Sequence, residues 1–421
     1  MAAARAGIRP GRVGTCSRRH RRLRWVAVVP AGALLFVLSC VVSVADAHDA
    51  SAWGGLFRSR DHGATWSLVT QAGFVGSALA LAVSPTDPNH LLLGTDSGLL
   101  RSRNGGRDWN LEAPNELVGG VSAAAFDADG ERVLVSTGVG VFRTDEGRSW
   151  RKTRAPVDAV PVRAIVRGSV PGRVYLAGWR GLSQSDDWGA SWVRIRSGLP
   201  KGPATAVAVA GGPPETVYAV TGGTIWMRAD EERKWVSAAF PAVEIEALGL
   251  NAHEPTRIWA AGGRQLFLSD DRGQHWRAVG QPLPEPHTAV RGIAVDGSSI
   301  VVTTDRGLYR STDDGGRWQL MVENLPAHLE AGPLVLDPND RVTLYAGFSL
   351  KPYTELWRRA SAQSSKEFGA GKVVGGAMFL TLVALAAASG LHRLALYYRS
   401  PQRRSTTSSS PSTDSSRETH G

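Results

Sequence analysis

Seven tryptophans, Trp66, Trp109, Trp150, Trp192, Trp235, Trp276 and Trp318, are separated by 43, 41, 42, 43, 41 and 42 residues. A period that regular, between 40 and 50, belongs to repeat architectures in which one supersecondary unit is copied along the chain. The unit can be read inside each period. Residues 162–195 run "VRAIVRG", "RVYLAG", "GLSQS", "SWVRI", four short runs bounded by Gly, Pro, Asp or Asn. The two central runs recur as "HLLLGTDSGLLRS", "RVLVSTGVGVFRT", "TVYAVTGGTIWMR", "RIWAAGGRQLFLS" and "SIVVTTDRGLYRS".

Four short strands per repeat with no intervening helix predict an all-β propeller, one sheet per blade, closed so that no sheet edge is left open. Six full sets of strands a to d lie between Ser77 and Met321. The N-terminal side adds c and d ("GGLFRS", "TWSLVT") and the C-terminal side adds a and b ("GPLVLDP", "TLYAGF"). Joined, these make a seventh blade that fastens the ring. The run "ELWRRA" reads as a leftover strand that competes for position c, and leaves eight blades as the alternative.

The segments before the tryptophans, "SRDHGATW" (59–66), "SDDWGASW" (185–192), "SDDRGQHW" (269–276) and "STDDGGRW" (311–318), resemble the Asp-box (BNR) repeat, S-x-D-x-G-x-x-W. "SRNGGRDW" carries Asn104 for Asp, "TDEGRSW" is one residue short, and "ADEERKW" keeps Asp230 and Trp235. Propellers with this repeat include sialidases, some glucan hydrolases, the sortilin luminal domain and a photosystem II assembly factor, so the resemblance speaks for fold far more than for function. The box has a structural reading. The carboxylates of Asp61, Asp187, Asp271 and Asp313 cap backbone N–H groups in a tight turn, glycine supplies a positive φ, and Trp66, Trp192, Trp276 and Trp318 pack within the blade. His62 reads as incidental, since equivalent positions hold Gly105, Trp188, Arg272 and Asp314.

Signs of catalysis are sparse. The sialidase reading lacks a FRIP-like motif, and Tyr175, Tyr218, Tyr309 and Tyr345 fall inside strands. "FGAGKVV" lacks P-loop spacing; Asp127-Ala128-Asp129-Gly130 has no closing Glu for a calcium loop; His253-Glu254 has no second zinc-spaced His. No cofactor or metal is expected. A ligand is expected instead at the channel mouth, opposite the Asp-box turns. The starts of the inner strands align as Ser77, Ser122, Arg163, Thr205, Glu246, Arg291 and Glu330. Small residues interrupted by two arginines and two glutamates suit a charged group. Trp179 and Arg180 ("GWRG"), together with Tyr353, belong to the same face; exposed aromatics beside arginine are favoured at interfaces. The bland alternative is a solvated rim.

The chain ends explain the charge. Residues 1–47 read as an export signal, with a basic stretch, an apolar run Trp25–Val44 and Ala45-Asp46-Ala47; an uncleaved signal anchor is the alternative. Residues 48–360 read as the propeller, 361–372 as a linker, 373–391 as a membrane helix and 392–421 as a polar, low-complexity tail. His392, Arg393, Arg399, Arg403 and Arg404 follow the apolar segment, which places the tail in the cytoplasm and the propeller outside. The formal +10 splits into +7 for residues 1–47, +3 for 392–421 and 0 between, so no nucleic-acid footprint is expected. Both cysteines, Cys16 and Cys40, lie in the signal region, which removes disulfides and thiolate chemistry from the propeller. The reading is a non-enzymatic, membrane-anchored propeller that binds a protein, peptide or glycan. An exo-sialidase-like glycosidase acting on extracellular glycans is the runner-up.

Overall fold

The computed structural model describes residues 54–364 apart from 71–74, 146–148, 156–159, 213, 230–233, 241–243, 251–253, 255, 327–328 and 341, with side chains as far as 359. The expected signal at 1–47, the expected membrane helix at 373–391 and the tail at 392–421 lie outside the described residues. Among the described residues, no helix is long and apolar enough to cross a membrane.

The described strands, β1–β28 in chain order, form seven four-stranded antiparallel sheets. Six sheets take four consecutive strands each, from β3–β6 through β23–β26. The seventh has the order β2-β1-β28-β27, joining β1 (Gly55–Ser59) and β2 (Ser67–Leu68) to β27 (Glu330–Leu336) and β28 (Leu344–Ser349). The inner strands β3 (Ala78–Val83), β7 (Val121–Phe126), β11 (Val162–Arg167), β15 (Ala204–Ala210), β19 (Ala247–Leu250), β23 (Val290–Asp296) and β27 touch in succession, and β27 returns to β3. The ring is a closed seven-bladed propeller, with two halves of one blade supplied by opposite ends of the chain.

Burial explains the strand sequences. The second strands, such as Leu91–Thr95 or Val174–Gly178, are buried along their whole length, with Ser299 the one partly exposed position, because neighbouring blades cover both faces. These strands therefore read as continuous apolar runs, where a half-buried strand alternates. The outermost strands have two to four residues and are largely exposed, which blunts the blade edges. Seven hydrophobic clusters fill the spaces between blades, and each receives one of the seven periodic tryptophans. The period is thus the spacing of inter-blade cores.

The five of these turns that lie wholly among the described residues share one hydrogen-bond pattern. Asp61 Oδ1 accepts the Ser59 hydroxyl at 2.7 Å and the Thr65 N–H at 2.9 Å, while Ser59 Oγ accepts the Gly63 N–H at 2.8 Å. Asp187, Asp271 and Asp313 repeat it, and Asn104 does so with its amide oxygen. The residue after the acid is left-handed in every copy: His62, Trp188, Arg272 and Asp314 have φ of 52–60°, and Gly105 69°. His62 is also more than incidental. Its Nδ1 lies 3.1 Å from Asp296 and its carbonyl accepts Arg310 Nε at 2.9 Å, tying the closing blade to its neighbour.

These turns give a pH dependence. Hydrogen bonds led by the His275 N–H hold the Asp271 carboxyl down at about 2, from an ordinary 3.8. For Asp61 and Asp187 burial pushes up, but hydrogen bonds led by the Thr65 and Ser191 hydroxyls outweigh it and the carboxyls also lie low. Groups depressed in the folded state stabilise it fully above their unfolded pKa and lose that stabilisation as pH falls through the folded one. Burial displaces Asp337 and Glu246 upward, so protonating those two favours the fold. Stability measured by urea titration is expected to fall between about pH 4 and pH 2, and Asp271→Asn is expected to flatten part of that fall.

One element differs from the reading of the sequence. "ELWRRA" is no strand; it lies in a helix, α1 (Tyr353–Ser364). Pro352, whose carbonyl accepts the Glu355 and Leu356 N–H groups, starts the helix, and Glu355 pairs with Arg358 and Arg359 at helical spacing. Position c of the closing blade belongs to β1, whose five residues pair with β28.

Candidate functional site

A repeated irregularity builds the channel mouth. In β3, β7, β11, β15 and β23 the pairing with the next strand skips one residue near the strand start: Leu79, Ser122, Arg163, Thr205 and Arg291. In β27 it skips Gly332 and Pro333, the latter having no N–H to give. A bulge frees a residue from the ladder and re-aims its side chain. In β19 the pairing is regular, and Glu246 stands just before the strand with its N–H on the Ala261 carbonyl at 2.9 Å.

The side chains bound a cavity of about 430 Å³, lined by Arg163, Trp179, Glu246 and Arg291 from the ring and by Tyr353 and Trp357 from α1. Three of these carry charge in different states. Arg291 pairs with Glu330 at 2.7 Å, and Glu330 also accepts the Tyr353 N–H at 2.6 Å. Glu246 accepts the Val290 N–H at 3.0 Å; burial nonetheless lifts its carboxyl above the usual glutamate value. Arg163 is half-buried and has no carboxylate partner among the described residues. Burial first, and the charge of Arg291 second, press its guanidinium below the usual arginine value. It lies over the Trp357 ring, 5.1 Å from the centroid, a cation–π contact that leaves its N–H donors uncommitted among the described residues.

Helix α1 is fastened across the mouth. Tyr353 is buried and donates its hydroxyl to the Ala78 carbonyl across the point where the ring closes. Burial and the nearby Glu330 hold that hydroxyl proton well above the tyrosine range. Ser349 donates its one hydroxyl proton to the Lys351 carbonyl and lies 2.8 Å from the Ser77 hydroxyl, and Leu350 N–H reaches the Gly76 carbonyl at 2.9 Å. Ser77 is thereby spent on closure, and Leu79 takes its place on the cavity.

Arg163, Glu246 and Arg291, from the strand starts, and Trp179, from the turn after Val174–Gly178, come together at the mouth, and Glu330 sits behind Arg291. Arg180 does not join them: it lines a separate cavity, although Trp179 precedes it directly. Both are the turn residues of the hairpin that pairs Gly178 with Gly181, where adjacency in sequence does not put two side chains on one face. Leu79 and Trp357 were missed. The first depends on the bulge and the second on α1. Asp61, Asp187, Asp271 and Asp313 occupy the turns between third and fourth strands, at the other end of the ring.

No family model matches the sequence, and no curated protein does. Solved structures do resemble the fold. YCF48 from Cyanidioschyzon merolae is 17% identical at TM-score 0.50, over 65% of this chain and 96% of that one. The GH74 xyloglucanase from Xanthomonas campestris is 19% identical at TM-score 0.50, over 68% and 55%. The extracellular domain of a hybrid two component system from B. thetaiotaomicron is 14% identical at TM-score 0.54, over 70% and 39%. At these identities the likeness carries the propeller fold alone, which proteins of different kinds share.

Proposed function

We propose that the chain is a non-enzymatic Asp-box propeller that binds an anionic group of a protein or peptide partner at the channel mouth. Arg163 carries this reading. A half-buried guanidinium without a carboxylate partner, roofed by Trp357, holds its donors ready for a carboxylate, and desolvation strengthens such a pair. Trp179, nearly half exposed at 46%, supplies an apolar anchor beside it.

The proposal includes anchoring by residues 373–391, with the propeller outside the membrane. Residues 365–372 reach at most ~30 Å when fully extended, and α1 leaves the ring from the mouth. A tethered propeller would therefore turn its mouth toward the bilayer, which favours partners at the membrane surface. Protection of the propeller from added protease in sealed inside-out vesicles, with cleavage in right-side-out ones, would test that the propeller lies outside the membrane. The glycosidase reading has Glu246 in its favour, a carboxyl displaced upward inside the cavity. Hydrolysis by paired acids uses two, and Glu246 is the one carboxylate among the described residues lining the mouth. That arithmetic favours binding.

The test is crosslinking followed by pull-down from membranes with the full chain. Arg163→Glu is expected to lower recovery of bound partners about tenfold or more, with Arg291→Glu as a second reversal. Recovery unchanged in both variants would overturn the assignment.

A further inference from the structure

A second cavity, of about 290 Å³, opens on the same end of the ring, between the blade that ends in β14 (Val193–Arg194) and the blade that begins with β15. Arg180, Arg194, Arg196 and Lys201 line it, and no carboxylate does among the described residues. Arg180, Arg196 and Lys201 are exposed and have no acidic partner among the described residues. Three exposed cations around one opening repel one another, and an anion between them relieves the cost.

An independent observation comes from the floor. In three other blades the threonine closing the second strand donates to the first carbonyl of the third: Thr95 to Gly98 at 2.9 Å, Thr137 to Gly140 at 3.5 Å and Thr304 to Gly307 at 2.9 Å. Thr221 holds the same position, is 1% exposed and lines this cavity, yet its hydroxyl has no partner among the described residues. The sequence explains why. Gly98 and Gly307 adopt φ of 148° and 112°, closed to a side chain, and Thr224 stands where they would be. The Gly222-Gly223 turn takes a different path, with φ of 58° and 72°, and the usual acceptor is lost. A buried hydroxyl left unpaired is costly unless something else satisfies it.

We propose that this cavity binds the phosphate group of a phosphate ester, with Arg180, Arg196 and Lys201 neutralising it and the Thr221 hydroxyl donating to one of its oxygens. A phosphate offers more acceptors than a carboxylate, which suits several cations and a hydroxyl. The cavity exceeds a bare phosphate, and Leu182 and Leu199 give the remaining wall an apolar character fit for the carbon part of the ester.

The test is isothermal titration of the full chain in nonionic detergent with inorganic phosphate, glycerol 3-phosphate and dihexanoylphosphatidylglycerol. Saturable binding by at least one probe is expected. Arg196→Gln and Thr221→Val should each weaken it about tenfold. Thr221→Val keeps the side-chain shape and removes an unpaired hydroxyl, so its melting temperature should stay level or rise while affinity falls. A merely structural threonine would not give that pair of results. Tightest binding of the lipid probe identifies a headgroup site; equal binding of glycerol 3-phosphate identifies a soluble ester. Absence of saturation with all three probes, or affinity unchanged in both variants, would overturn the proposal.

Discussion

Trp66→Ala is expected to cost roughly 3–5 kcal/mol, the largest stability loss of any single tryptophan replacement in the repeat. Trp66 is 3% exposed and packs with Phe57, Phe348, Val301 and Leu308, so it bridges the closing blade and its neighbour. Its indole N–H donates to the Gly63 carbonyl at 3.0 Å, which couples the ring to the turn that Asp61 caps. Removal leaves a cavity the size of an indole in the one blade that no continuous segment builds. Strands β1 and β28, paired residue for residue over five positions, are separated by almost the whole propeller sequence, and their closure costs chain entropy that packing must offset. Trp318 is the internal comparison. It is only half-buried, and its indole N–H reaches the Gln281 carbonyl at 2.7 Å in the preceding blade. Trp318→Ala should cost about 1–2 kcal/mol. Urea midpoints of the two full-length variants decide the order; equal losses would show that blade closure carries no special weight.

The period of the tryptophans was enough to find the blades because backbone repeats and core spacing are one thing in this ring. Each indole enters a different inter-blade cluster, and the halves of the closing blade were visible as unpaired c–d and a–b runs. The mouth was legible in part for a related reason. Aligning strand starts found Arg163, Glu246 and Arg291, since strand starts converge on one end of a propeller. What aligned sequences do not carry is the skipped residue in the ladder. Leu79 replaces Ser77 on the cavity because a bulge, which depends on how strands pair, decides which side chain is freed. Similarly, "ELWRRA" is too short for its period to separate helix from strand. Its helical state depends on Tyr353 finding a buried seat between β3 and β27, a tertiary contact. The left-handed residue in each Asp turn was hidden for the opposite reason. His62, Trp188, Arg272 and Asp314 share a backbone conformation and no side-chain chemistry.

Gly332→Val should release α1 while leaving the ring closed. A Cβ on Gly332 would overlap the Tyr353 hydroxyl and ring, and the backbone at Gly332 lies outside the left-handed region, so the overlap is the whole of the conflict. The stiff, branched valine has no rotamer that removes its Cβ. Tyr353 is the residue that must leave, and with it go the hydroxyl bond to Ala78, the N–H bond to Glu330 and the Trp357 contact with Arg163. Freed from the ring, a helix of 12 residues is marginal in water even with its Glu355–Arg359 pair. Trypsin cleavage after Arg358 and Arg359 is therefore expected to accelerate at least about tenfold, since cleavage follows the population of the open form. Tyr353→Ala should do the same by removing the seat's occupant. A cleavage rate unchanged in both variants would refute the docking of α1. The consequence for binding has a definite sign. The 430 Å³ cavity exists with α1 in place, so the helix is a wall of the site, and Arg163 loses its aromatic roof when the helix departs. Partner recovery should fall in Gly332→Val alongside the rise in cleavage.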